Sequence, residues 1–156
     1  MDKSFIFEEV VMEFGWINLF GAAIVIILLI PNIFYAIKNK DIENRCRNKI
    51  MNAIEQIGRY GCIILMWLPL FVWKFEFKSF EIFLAYLVSE GLLLFAYVFI
   101  WILYFKKRSY WKAMALAIIP TFIFLISGLA LHHWLLVVCA AMFGVGHIYV
   151  TYINSR

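Results

Sequence analysis

Five long apolar runs, separated by short connections that hold most of the charge, leave this chain few ways to fold. A helix needs roughly 20 mostly apolar residues to cross a hydrocarbon core about 30 Å thick. Inside that core every backbone N–H and C=O must find a partner within the protein, so helical spans are favoured. The runs predict spans from Trp16 to Ile37, about Ala53 to Trp73, Phe80 to Phe105, Ala113 to Leu131 and Trp134 to Ile153. The expected fold is an all-α integral membrane protein, a single transmembrane domain over residues 1–156 built as a bundle of five helices. A 65% hydrophobic content fits this reading, because a 156-residue soluble domain leaves too much surface in water to hide it.

The positions of the basic residues set the expected orientation. Lys38, Lys40, Arg45, Arg47 and Lys49 follow the first run; Lys106, Lys107, Arg108 and Lys112 follow the third; Arg156 ends the chain. The alternate connections hold only Lys3, Lys74 and Lys78. The positive-inside rule therefore puts the N-terminus outside and the C-terminus in the cytoplasm of a multi-pass cell-membrane protein. The formal charge of +4 is explained by these loops meeting anionic headgroups, and no nucleic-acid partner is expected. The acidic Asp2, Glu8, Glu9 and Glu13 are the reverse of a signal peptide's basic start, so the first run is expected to remain in the mature protein.

Functional signal in such a chain sits in the polar residues of its spans, since an ionisable group in lipid is costly and turns inward. In the third run Glu90 shares a helical face with Ser79, Phe83, Tyr86, Leu94, Tyr97, Trp101 and Tyr104. That stripe predicts a central helix with Glu90 pointing inward, either as a structural hydrogen-bonding acid or as a site residue. Glu55 and Arg59 have the i, i+4 spacing of an ion pair. Glu55 reads as interfacial, whereas the deeper Arg59 reads as an anion contact. His147 aligns with Phe143, Thr151 and Asn154, with Gly144 and Gly146 beside it; imidazoles as a class titrate near neutral pH. Asn32 follows Pro31 and Thr121 follows Pro120, and a proline inside a span leaves a carbonyl in need of another donor.

Counting about 1.5 Å per residue puts Asn32, Arg59, Thr121 and His147 at similar depth, with Tyr97 and Trp101 near them and Glu90 deeper. These seven residues are the expected ligand-binding set: a polar, aromatic-lined cavity opening to the cytoplasm and closed at its inner end by Glu90. No HExxH, phosphate-binding glycine loop, GxSxG or nucleotide signature occurs, and Cys46, Cys62 and Cys139 have no metal spacing. No catalytic residue, metal or cofactor is expected. The role expected is binding or transport of a small molecule or lipid. The alternatives are an inner-leaflet lipid-modifying enzyme, or an accessory or immunity-type subunit. A membrane-protein partner or a second copy completes the expected set of partners.

Overall fold

The computed structural model describes residues 17–40, 44–68, 70 and 77–156. The expected start of the first span at Trp16 and end of the second at Trp73 lie outside the described residues, as do the acidic N-terminal residues. Within them the protein is all-helical: α1 (Leu19–Lys38), α2 (Lys49–Leu65), α3 (Phe80–Lys106), α4 (Tyr110–Ala130) and α5 (Trp134–Ser155). Four of these helices, α1, α3, α4 and α5, are long and apolar enough to cross a membrane. The fifth, α2, has 17 residues, about 25 Å of helix, and carries its polar residues in its first three turns.

Local chemistry explains the helix ends. Asn48 caps α2 by accepting from the N–H groups of Ile50 and Met51, which starts that helix one turn before the apolar run. At the other end, Asn18 ties α2 to α1. Its side-chain oxygen accepts from Gly21 N–H at 3.0 Å, its amide donates to Met66 O at 3.1 Å, and its backbone N–H donates to Trp67 O at 3.0 Å. A side chain at Gly21 would collide with the Met66 carbonyl, so only glycine permits this junction. Helix α2 ends at Leu65: its Cys62 and Ile64 carbonyls accept from the N–H groups of Met66 and Leu68, and the carbonyls of Met66 and Trp67 beyond it turn to Asn18. Lys112 donates to Leu103 O and Lys107 O, satisfying the carbonyl end of α3. Between α4 and α5 the chain reverses at His132 in the left-handed region (φ 52°), and His133 Nδ1 accepts from Leu136 N–H to cap α5.

Pairwise contacts fix the arrangement. Opposing residues of α2 and α5 run antiparallel: Glu55 lies against Gly146, Gly58 against Phe143, and Gly61 against Cys139. The backbones approach closely because three of those six residues are glycine, the small-residue packing on which lipid-embedded helices depend. Gly144 receives Thr121 from α4 in the same way. Ser127 meets Glu90 across α4 and α3, again antiparallel. By contrast α1 runs parallel to α3, with Phe20 on Phe83 near one end and Phe34 on Phe105 near the other. Directions therefore alternate along the chain. The basic residues gather at one end, where Arg108 reaches Asn39 and the Tyr35 ring, and Arg45 N–H donates to Asn154. Buried residues of α3 are Tyr86, Glu90, Tyr97 and Trp101, all from the stripe the periodicity predicts.

The glycines give a matched test. Gly58→Ala drives a Cβ to 2.4 Å from the Phe143 backbone and should destabilise the bundle by about 1–3 kcal/mol. Gly91→Ala meets nothing within 4 Å and should instead stabilise by up to about 1 kcal/mol through helix propensity. Unfolding of both variants in one detergent checks the pair.

Candidate functional site

Glu55 is the centre of the polar cluster. It lies on the buried face of α2 with Gly58, Cys62 and Leu65, and is only 4% exposed. The absence of a side chain at Gly146 lets α5 approach the Glu55 backbone, so the next residue, His147, comes within reach of the carboxylate. His147 Nδ1 lies 2.8 Å from Glu55 Oε1, and Arg59, one turn along α2, pairs with the same oxygen. Two cationic-capable groups thus converge on one carboxylate oxygen. The Phe143 ring stacks on the imidazole at 4.7 Å and 16°, fixing its plane. Burying a carboxylate costs several kcal/mol unless it is paired, and Arg59 supplies that pairing.

A second polar pair faces this cluster across the bundle. Asn32 donates to Tyr97 Oη at 2.6 Å and to Leu28 O at 2.7 Å, and Tyr97 Oη in turn donates to Leu28 O at 3.3 Å. Pro31 withdraws one donor from the helical ladder, and the adjacent carbonyl collects two side-chain donors. The same device recurs in α4, where Thr121 after Pro120 donates to Ala117 O at 3.1 Å.

Between the two pairs lies a cavity of about 80 Å³ to which all five helices contribute. Beyond Asn32, Arg59 and His147 its walls are apolar, formed by residues such as Val25, Ile63, Phe124 and Phe143. Towards the basic end, the same three residues line a larger pocket of about 370 Å³ with Glu55, Trp101, Tyr104 and Asn154. A third, of about 380 Å³, continues past Tyr35 and Tyr104 to Arg45 and Arg108. Asn32, Arg59 and His147 therefore form a polar waist between an apolar chamber and a wider polar vestibule. A lining of this type, mostly apolar with a few convergent polar groups, is the usual form of a small-molecule site.

Five of the seven residues expected from sequence line this system: Asn32, Arg59, Tyr97, Trp101 and His147. Thr121 is buried, but its hydroxyl is turned back to its own helix and its methyl covers Gly144. Glu90 lies elsewhere. It is 2% exposed and accepts from Ser127 Oγ at 2.9 Å, beside Tyr86, and the inner end of the chamber is closed by apolar side chains instead. Its second oxygen, Oε2, has no hydrogen-bond partner among the described residues. Glu55, which its spacing alone marks as interfacial, is the residue that sequence reasoning undervalued. The available signal was the pair Gly144 and Gly146 beside His147, which marks where another helix can press close. Among the described residues no three His, Cys, Asp or Glu side chains come together as a metal would require.

A double-mutant cycle tests the cluster. Glu55→Gln and His147→Asn should show a coupling of about 1–2 kcal/mol in unfolding free energy, because the two groups share one contact. Glu55→Gln and Tyr97→Phe, which share none, should add. No known family, no curated protein and no solved structure matches this chain.

Proposed function

We propose that the protein is a five-span cell-membrane protein that binds, and in that way moves or senses, a small molecule or lipid in the cavity behind Arg59. The observation that carries this reading is the waist itself. Asn32, Arg59 and His147, from three helices, stand at the boundary between the apolar chamber and the polar vestibule. An amphipathic molecule is satisfied there at both ends, its tail against Val25, Ile63 and Phe124 and its polar group at Arg59 and His147.

The membrane setting is supported by the four apolar helices and by the gathering of basic side chains at one end. That end faces the cytoplasm by the positive-inside rule, so the vestibule opens inward. On this reading α2 is the fifth span. Its polar first turns face the vestibule, where water and the ligand replace lipid. The alternation of helix directions then leaves the N-terminus outside.

Two experiments test the reading. In a cysteine-free background, Asn39→Cys should react with a membrane-impermeant maleimide only after the cells are permeabilised, while His132→Cys should react without it. The opposite pattern contradicts the orientation. Native mass spectrometry of protein released from its own membrane should show a bound small molecule, lost when Ile63→Trp fills the chamber and kept in Leu92→Trp on the exposed face. A mass that survives Ile63→Trp, or none in the unsubstituted protein, contradicts the binding role.

A further inference from the structure

From the charges around the cavity we infer that its ligand is an amphipathic monoanion with a carboxylate-like head, and that each anion enters together with one proton. This rests on the cavity being a binding site, and it specifies what that site takes.

The sign of the head follows from the lining. Arg59, with 37% of its side chain exposed, is the cation at the waist, and Arg45 and Arg108 line the outer pocket. The sole carboxylate among the residues lining these three pockets is Glu55, whose side chain is 5% exposed and already occupied. A cationic head would meet Arg59 with no free acid to receive it. An anionic head meets a guanidinium whose remaining N–H donors suit a carboxylate fork.

Proton coupling follows from charge balance at low dielectric. Without ligand, the charges of Arg59 and Glu55 cancel within their ion pair. An anion that draws Arg59 away would leave the Glu55 carboxylate, only 5% exposed, without a compensating charge, a costly state. One proton restores neutrality. His147 and Glu55 already share a 2.8 Å contact, so a proton arriving on the imidazole forms an ion pair with that carboxylate and frees Arg59 to turn to the ligand. The bookkeeping is complete: the anion adds one negative charge, the proton one positive, and no covalent bond forms or breaks. The titratable groups that face His147 in the two inner pockets are Glu55 and Arg59 from α2, Tyr35 from α1, and Tyr97 and Tyr104 from α3; α4 offers only Ala113, Leu116, Ala117, Pro120 and Phe124.

The test uses the full chain in phosphatidylcholine nanodiscs and octanoate as the probe, with octan-1-ol and octylammonium as neutral and cationic controls. Calorimetry in two buffers of different ionisation enthalpy should show about one proton taken up per octanoate bound, and Arg59→Gln should weaken octanoate about tenfold or more. Glu55→Gln separates charge from architecture: its Arg59 charge is already uncancelled, so octanoate should bind with no proton uptake. A purely structural cluster would not move that stoichiometry. Adding phosphatidylglycerol to the nanodisc distinguishes the source of the anion. Suppressed octanoate binding supports the inference with a lipid headgroup as occupant, and unchanged binding supports it with a free anion. Octanoate binding without proton uptake overturns the coupling, and failure of both octanoate and phosphatidylglycerol to bind overturns the anion. Octylammonium or octanol binding preferentially, and being lost in Ile63→Trp, would overturn this inference while leaving the cavity as a binding site.

Discussion

A charged carboxylate can stay inside a small bundle only where a second helix comes close enough to offer it partners. In this protein that approach is the antiparallel contact of α2 with α5, made by Gly58 and Gly61 on one side and Gly146 on the other. Without a side chain at Gly146, the Glu55 backbone meets that of α5, and the imidazole of His147 lands 2.8 Å from the carboxylate. Arg59 follows one helical turn later. The cluster of Glu55, Arg59 and His147 depends on that approach. A bulkier residue at either glycine would push the helices apart, strand Glu55, and widen the cavity into the lipid.

The remaining helices complete a vessel around this pair. The α4–α5 hairpin presses Thr121 onto Gly144, and α3 joins it through the Ser127–Glu90 hydrogen bond. Helix α1 is held differently. It meets the end of α2 at the Asn18–Gly21–Met66 junction, and leans on α3 through Tyr97 and a series of aromatic contacts ending at Phe105. The two helices therefore meet at one end and stand on opposite sides of the cavity at the other. The polar waist lies where they have separated, which explains why a site containing an ion pair can remain accessible from the basic end.

Much of the architecture was legible from residue order because burial leaves a 3.6-residue signature. The Tyr86–Glu90–Tyr97–Trp101 stripe announced the inner face of α3, and the helical spacing that puts His147 on one face with Phe143 left their ring stack to be seen in the fold. Counting residues to the nearest basic anchor put Asn32, Arg59 and His147 at similar depth, and the three line one cavity. Counting fails where neighbouring helices set the depth. Glu55 lies near the start of α2, where long side chains usually reach back to water, and only the register against Gly146 makes it a buried hub. Glu90 is inward as its stripe requires, but it meets Ser127, and neither residue lines the chamber. The junction beyond α2 was illegible for a similar reason: the Met66 carbonyl that follows the helix is held by Asn18, 48 residues away in sequence.

The Glu55 oxygen shared by His147 and Arg59 holds the site together, and its contact with His147 can be observed directly. Solid-state NMR on protein labelled with 15N at histidine and 13C at glutamate in lipid would report the dipolar coupling between His147 Nδ1 and the Glu55 carboxyl carbon. The account predicts strong dephasing, consistent with a direct hydrogen bond at the 2.8 Å nitrogen–oxygen contact and abolished by Gly146→Leu. Dephasing no stronger than that of a histidine outside hydrogen-bond reach of any carboxylate would contradict it, and with it the α2–α5 register that builds the site.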